Sequence, residues 1–249
     1  MPATPAWPPR SAPRLFVEER LSDGSMLSLE GSKAHYLSKV MRLRTGDAVI
    51  LCDNATGEWA ARVTETAKRE VRLEVVGQLR LREQVPDLWL CPALLKKDRF
   101  DLVLEKATEL GIARIQPVIT RRCVADKLNL ERARAITTEA AEQCARTALP
   151  ELERPQDLAT MLKAWDPART LFYADETGGE PAATAFEKWT GPAALLIGPE
   201  GGFDQAEREL LRAHRQVKPI ALGPRILRGE TAAIAAAALW MGIKGDWTK

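Results

Sequence analysis

Two glycine-bearing segments near the C-terminus constrain this chain most. The first is Ile197-Gly-Pro-Glu-Gly-Gly-Phe203, and the second is Leu222-Gly-Pro-Arg-Ile-Leu-Arg-Gly-Glu-Thr-Ala232. Each follows an apolar run typical of a buried strand and leads into a stretch with helical periodicity. Both segments therefore place closely packed backbone at the end of a strand. In open α/β sheets this is the position where ligands bind.

The rhythm from residue 88 onward is that of alternating strands and helices. The apolar strand candidates are Leu88–Leu94, Ile112–Ile119, Leu171–Ala174, Ala193–Ile197 and Val217–Leu222. Helical spacing marks Phe100–Leu110, with Gly111 as its C-terminal stop, and Leu130–Ala148, ended by Pro150. This alternation predicts an α/β domain with a mostly parallel sheet covered on both faces.

Residues 14–78 show a different pattern, with short alternating strands interrupted by the turn Asn54–Gly57. Such a pattern predicts a small antiparallel β domain with one helix, for which Ser32 is the expected N-cap. We expect residues 1–13, which carry five prolines, to form a disordered arm. Residues 79–87 read as a linker, and residues 88–249 as the second domain.

Composition narrows the class of protein. The chain of 249 residues has a net charge of +2 and four cysteines without a C-x-x-C pair. Cysteines spaced in this way indicate neither a zinc site nor a disulfide framework, so we expect reduced thiols in the cytoplasm. The chain has only two histidines, and we expect no bound metal. No apolar stretch approaches the roughly 18 residues of a membrane span, and the N-terminus lacks the apolar core of a signal peptide. We therefore expect a cytoplasmic protein without a membrane partner.

The two glycine segments lack the signatures of a P-loop and of a Rossmann fingerprint. Phosphate cradling is therefore disfavoured. Glycines without a Cβ instead let the backbone approach a planar ligand closely, as adenine recognised by main-chain groups requires.

Five strings in sequence order resemble one family. Besides the two glycine segments, they are Leu104-Glu-Lys-Ala-Thr-Glu-Leu-Gly111, Thr120-Arg-Arg-Cys123 and Glu142-Gln-Cys-Ala-Arg146 with Pro150. Together they resemble the SPOUT-class bacterial enzymes that methylate a uridine of 16S rRNA at N3. The resemblance implies a trefoil-knotted methyltransferase domain, a PUA-like RNA-binding β-barrel at residues 14–78, and a homodimer that acts on 16S rRNA or the small ribosomal subunit.

The same resemblance implies S-adenosyl-L-methionine as the cofactor, held by the two glycine loops and a third loop after Leu171–Ala174. The expected cofactor-binding residues are Leu196, Ile197, Gly198, Pro199, Glu200, Gly201, Gly202, Leu222, Gly223, Ile226, Leu227, Arg228 and Thr231. Thr231 has an alternative use as the cap of an alanine-rich helix. Asp204 and Glu207 have the spacing of a capping box, which we favour over catalysis.

Uracil N3 carries a proton at neutral pH, so its methylation requires a group that tolerates the developing negative charge. Arginine suits this role because its planar fork stays charged. The arginines on family motifs are Arg228, Arg122 and Arg146, in decreasing order of preference, while Glu200 either accepts the proton or pairs with one of them. The expected RNA-binding residues are Arg14, Lys39, Arg42, Arg44, Arg122 and Gln143, the last also as a group that orients the base.

Three functions stay open at this point. The first is the rRNA uracil-N3 methyltransferase. The second is a related enzyme that methylates a ribose 2′-hydroxyl, with shared cofactor loops and a different acceptor pocket. The third is a non-catalytic RNA-binding assembly factor, against which the intact glycines argue. A solvated helix face explains Lys39, Arg42 and Arg44 as well as RNA contact does.

Overall fold

The computed structural model describes residues 7–248. The chain divides into two compact units, of which the first comprises residues 1–84 with 141–148 and the second residues 85–140 with 149–249. The segment 141–148 thus packs with the first unit, whereas the sequence pattern assigned it to the second domain. The predicted boundaries at 79 and 88 stay a prediction, although a strand continues to Leu81, inside the expected linker.

The first unit is built on one five-stranded sheet. Its elements are β1 (Arg14–Phe16), β2 (Met26–Glu30), α1 (Gly31–His35), a π-helical turn (Tyr36–Val40), β3 (Ala48–Cys52), β4 (Gly57–Thr66) and β5 (Glu70–Leu81). The strand order is β1-β3-β4-β5-β2, with β1 and β2 as the two edges, so the sheet is a half-barrel. Only the β1–β3 pair is parallel among the described pairs. Register shifts along β4–β5 mark β-bulges, which bend a sheet.

Alternation of side chains along these strands places one apolar face inward. Leu37, Val49, Leu51, Val63 and Leu73 are fully buried in this core. The expected N-cap was wrong, because α1 begins at Gly31, with a φ of 60°, and its N-cap is Glu30. Ser32 therefore lies inside the helix. The predicted disordered arm falls partly on residues 1–6, which lie outside the described residues.

The second unit contains a seven-stranded sheet covered by helices. Its elements are β6 (Leu88–Pro92), α2 (Lys97–Glu109), β7 (Arg114–Ile115), β8 (Val118–Ile119), α3 (Leu130–Cys144, whose last residues count with the first unit), β9 (Glu151–Leu152), β10 (Gln156–Asp157), α4 (Leu158–Lys163), β11 (Thr170–Ala174), β12 (Glu180–Pro181), α5 (Ala182–Glu187), β13 (Ala193–Ile197), α6 (Gln205–Ala213), β14 (Val217–Ala221), α7 (Gly229–Ile243) and a 3₁₀ turn (Asp246–Thr248). The strand order is β12-β14-β11-β13-β6-β7-β9, and every described pair in it is parallel. This confirms the predicted α/β class.

Alternate residues of the central strands pack into two separate cores. Phe172 and Leu195 face a cluster that includes Phe186 and Trp240, from α5 and α7. The neighbouring strand residues Leu171, Tyr173, Ala194 and Leu196 face a second cluster with residues of α4 and α6. Both faces of the sheet are therefore buried, as continuous apolar strands require.

Two elements end or break where the sequence pattern did not place a boundary. The helix α3 ends at Cys144, because Ala145 adopts a left-handed conformation with φ 62° and the Arg146 N–H donates to the Ala141 carbonyl at 3.0 Å. It does not continue to Ala148, and Pro150 is not its stop. The expected strand Ile112–Ile119 is two short strands, β7 and β8, since Pro117 between them has no N–H to donate.

Candidate functional site

Three neighbouring strands of the second unit end at one edge of the sheet, and the loops that follow them line one cavity. The strands are β14, β11 and β13, and the cavity has a volume of about 420 Å³. Most of the expected cofactor residues line it, namely Ile197, Gly198, Pro199, Glu200, Gly201, Gly202, Leu222, Gly223, Ile226 and Leu227. The loop after β11 contributes Ala174 through Gly178, at the predicted place.

The loop of residues 198–203 is compact, and its neighbours leave little room for a side chain at two of its glycines. A Cβ on Gly198 would lie 3.0 Å from the Phe203 ring, and one on Gly201 would lie 3.2 Å from Cβ of Arg122. Gly202 has a φ of 64°, and its N–H donates to the Pro199 carbonyl at 2.9 Å. The Gly201 carbonyl in turn accepts from the Arg122 guanidinium at 2.8 Å. The expected catalytic residue Arg122 thus shapes this loop directly.

A buried carboxylate holds the loop after β11. Asp175 accepts from the Tyr173 hydroxyl at 2.9 Å, from the Thr177 N–H at 2.9 Å and from its hydroxyl at 2.8 Å. Asp175 also forms an ion pair with Arg208, at 2.7 Å, and a longer one with Arg212, at 3.4 Å. Burial works to raise the pKa of Asp175, but the hydrogen bonds from Thr177 and Tyr173 and the charge of Arg208 outweigh it and lower the pKa.

Arg208 connects the two loops. It extends from α6, and its side chain is only 11% exposed. Besides Asp175, it pairs with Glu176 and donates to the Phe203 carbonyl at 3.1 Å. Neither Asp175 nor Arg208 was expected from the sequence. An Asp directly after an apolar strand candidate, at the edge where ligands bind, is the signal that could have found the former.

The predicted capping box at the start of α6 is confirmed. The Asp204 carboxylate accepts from the Glu207 N–H at 2.8 Å, and the Glu207 carboxylate accepts from the Asp204 N–H at 3.0 Å. The other oxygen of Glu207 accepts from the Arg121 N–H at 2.8 Å. The motif Thr120–Cys123 is thereby fastened to the helix that carries Arg208.

The loop of residues 222–228 is more open. Gly223 has a φ of 113°, with open space where a Cβ would stand, and Ile226 is 89% exposed. Arg228 is the N-cap of α7 and is exposed, and Thr231 is exposed within the helix. The capping use of Thr231 was therefore wrong, because the helix starts two residues earlier. Arg228, Thr231 and the strand residue Leu196 are absent from the described lining of the cavity.

At Gly229 the helix α7 lies close against this edge of the sheet. A Cβ there would lie 2.9 Å from Leu95 and 3.3 Å from the Gly198 carbonyl oxygen. Gly229 and Ala232 both line the cavity. The backbone of α7 thus forms one wall of the cavity.

Two family models match the sequence, one described as an RNA methyltransferase domain, over residues 82–241, and one as an RNA methyltransferase PUA domain, over residues 29–76. The first covers well over half of the chain. The chain belongs to the RNA methyltransferase family.

Individual members of this RNA methyltransferase family are similar to this chain over nearly its whole length. The ribosomal RNA small subunit methyltransferase E of Rickettsia conorii is 33% identical over 229 residues, which are 90% of this chain and 93% of the relative. The protein of the same name from Bacillus subtilis is 30% identical, with the same coverage. The crystal structure of a ribosomal RNA small subunit methyltransferase E from Neisseria gonorrhoeae, bound to S-adenosyl methionine, is 28% identical, with a TM-score of 0.87 over 95% of this chain and 99% of that one.

The first unit of this RNA methyltransferase holds the remaining expected site residues. Arg146 is buried and lies 3.5 Å from Glu83, and burial lowers its pKa. Arg14 is half-buried and pairs with the buried Glu58. The others, Gln143, Lys39, Arg42 and Arg44, are exposed. None of these six side chains lines the 420 Å³ cavity as the structure describes it.

Metal ligands and membrane-spanning helices are two further features on which a function could rest. Between residues 7 and 248, no three His, Cys, Asp or Glu side chains are grouped to hold a metal ion. None of the helices in that range is long and apolar enough to cross a bilayer. The four cysteines are free, and burial raises the pKa of the Cys52 and Cys91 thiols to about 12, so both stay protonated.

Proposed function

We propose that this RNA methyltransferase uses S-adenosyl-L-methionine to methylate N3 of a uridine in 16S rRNA. The single observation that carries the proposal is the cavity formed by three strand-end loops in a member of this family. Two similar structures, the one from Neisseria gonorrhoeae and a putative methyltransferase from Legionella pneumophila with a TM-score of 0.86, are complexes with S-adenosylmethionine.

The residues of the cavity fit such a cofactor. Its volume of about 420 Å³ lies in the range of roughly 300–1,000 Å³ that is usual for small-molecule sites. Ile197, Leu222 and Leu227 offer apolar surface to an adenine ring, while Gly198 and Gly223 leave main-chain groups accessible. The bound cofactor supplies an electrophilic methyl group on a sulfonium.

The acceptor must lose the N3 proton, and the charge then spreads onto the two flanking carbonyl oxygens of uracil. Of the three candidate arginines, Arg228 supports this role best, because it is exposed and directly precedes Gly229 in the cavity wall. Arg122 donates to the Gly201 carbonyl, and Arg146 is buried beside Glu83. We assign Arg228 to the stabilisation of the uracil anion. We assign Arg122 to positioning the loop of residues 198–203, and Arg146 to positioning the segment that it joins to Glu83.

Glu200 is exposed and lines the cavity, so we propose it as the group that accepts the N3 proton. Gln143 is exposed in the segment that packs with the first unit, and its use in orienting the base stays a prediction from the sequence. Leu196 and Thr231 stay in the proposed cofactor set, because their chain neighbours Ile197 and Ala232 line the cavity. Arg228, which the sequence also placed in that set, we assign to the acceptor alone.

We also propose a cytoplasmic homodimer with a knotted second unit. Ile226 at the cavity is almost fully exposed, and a partner subunit at this loop would cover it. The knot rests on the family resemblance, and the structure adds only that the chain after β14 packs closely at Gly229 against the loop after β13.

The test is methyl transfer from isotope-labelled S-adenosylmethionine to unmodified 16S rRNA or small subunits, followed by digestion to nucleosides and mass analysis. The expected product is a uridine that carries the label on its base. A label on ribose would replace the proposal with a 2′-O-methyltransferase. Cofactor binding without any transfer would point to an assembly factor.

A further inference from the structure

The first unit has a cleft of its own, with a volume of about 320 Å³. On one side stand His35, Ser38 and Lys39, from α1 and the π-helical turn. On the other stand Lys68 and Arg69, in the turn that joins β4 and β5. Cationic and hydroxyl groups that are distant in sequence thus meet across one cleft.

The positive charge of the β4–β5 turn is left over after its acidic neighbours are paired. Arg72 binds Glu65 at 3.0 Å and Glu70 at 2.8 Å, so both carboxylates next to the turn already have a cation. Across residues 7–248, no ion pair involves Lys68 or Arg69. Their charge is therefore available to an anionic ligand.

Both sides of the cleft rest on ordered structure. The turn is closed by the Ala67 N–H, which donates to the Glu70 carbonyl at 2.9 Å. The π-helical turn is anchored by Leu37, which is 0% exposed in the core of this unit. The main chain that carries the cations is thus anchored on both sides of the cleft, so a ligand that bridges them binds with little ordering of the backbone.

The cleft offers charge and hydroxyl groups but no stacking surface, since its described lining contains no Phe, Tyr or Trp. Glu30 is the one acidic residue among those described in its lining. Cations without aromatic neighbours recognise phosphates rather than bases.

We propose that this cleft binds the sugar–phosphate backbone of the rRNA substrate, with Lys68 and Arg69 contacting phosphates opposite Lys39. The inference rests on the proposed function, since it takes rRNA as the ligand. It adds the β4–β5 turn to the RNA contacts expected from the protein sequence. Because the turn contacts phosphates, it would bind RNA without regard to the nucleotide sequence.

The test compares Lys68→Gln/Arg69→Gln with the matched control Arg20→Gln/Arg62→Gln, which removes two exposed cations elsewhere in the same unit. Binding to a 16S rRNA transcript is measured by filter retention between about 50 and 200 mM salt. For the turn variant we expect affinity to fall about tenfold at the lower salt. The log–log salt slope should flatten by about 2, because two phosphates are no longer neutralised by the protein. The control should keep nearly the slope of the wild type.

Calorimetry with S-adenosylmethionine should give the same affinity for all three proteins, which also shows that they are folded. Equal slopes for the turn variant and the control would overturn the inference. If the wild type transfers the methyl group but the turn variant keeps the wild-type salt slope, only the inference about the cleft is refuted. If the turn variant has a flattened salt slope but the wild type transfers no methyl group, only the proposed function is refuted.

Discussion

The loop after β13 and the loop after β14 line the same cavity but are held very differently. Residues 198–203 are fastened by side chains, since Arg122 binds the Gly201 carbonyl and Arg208 binds the Phe203 carbonyl. Within the described chain, no hydrogen bond or ion pair ties residues 223–227. One half of the site is therefore prearranged for a ligand, and the other keeps its groups available for contacts with substrate.

The largest expected effect comes from the open loop. For Arg228→Ala we expect turnover to fall about a hundredfold, because the developing negative charge loses its cation, while cofactor affinity changes little. Steady-state kinetics with rRNA and calorimetry with S-adenosylmethionine measure the two quantities. Arg228→Lys keeps the charge without the planar fork and should lie in between. An equal loss of affinity and turnover would mean that Arg228 builds the cofactor slot, and the contrast between the loops would fail.

The fastened half should respond in the opposite way. In Arg208→Gln the buried Asp175 loses its nearest cation, so we expect cofactor affinity to fall about tenfold and stability by about 1–3 kcal/mol. Turnover at saturating cofactor should fall much less. Arg212→Gln is the matched control, because Arg212 is 53% exposed and lies 3.4 Å from the same carboxylate. Similar effects in the two variants would show that Arg208 is not the connection between the loops.

A matching aspartate in the first unit separates stability from binding. Asp53 accepts from the backbone at Ala55 and Thr56, as Asp175 does at Thr177. Burial works to raise the pKa of Asp53, but the hydrogen bonds from Thr56, Leu21 and Ala55 lower it to about 2.

Because the folded pKa lies below the ordinary value near 4, this carboxylate stabilises the fold above about pH 4, and the contribution is lost as the pH falls toward 2. For Asp53→Asn we expect a loss of about 2 kcal/mol at neutral pH, which shrinks over that range, and no change in cofactor affinity. Denaturant unfolding at several pH values measures it. A weaker cofactor affinity in this variant would contradict the expectation that Asp53 contributes to stability and not to cofactor binding.

The smallest effect is expected at the capping box. Asp204→Ala removes the side-chain acceptor at the start of α6, which costs about 1 kcal/mol of stability. Since α6 carries Arg208, a slight loss of cofactor affinity should accompany it. Thermal unfolding with and without cofactor tests this, and a loss larger than that of Arg208→Gln would reverse the expected order.

Local signals explain what the sequence predicted well. The strand Ala193–Ile197 has the predicted bounds, because five apolar residues stand between turn-forming segments. The pair Asp204 and Glu207 forms its capping box because both partners lie within one turn of helix. The two glycine loops line the expected cavity because each directly follows a strand.

Longer connections were not predictable from spacing. Asp175 and Arg208 are 33 residues apart, and they meet because the sheet brings the loop after β11 beside the loop after β13. The segment 141–148 packs with the first unit through contacts such as that of Thr147 with Glu83, 64 residues away. A strand or helix pattern carries no information on such pairs, since they depend on strand order.

The tight contact at Gly229 limits how this methyltransferase can diverge. Any side chain at that position would press on Leu95 and on the Gly198 carbonyl at once, so a single substitution would disturb the core and the cavity together. A substitution at position 229 therefore requires the Leu95 side chain to move and the Gly198 backbone to give way. The room for change lies in residues 224–226, which are exposed and can vary without repacking the interior.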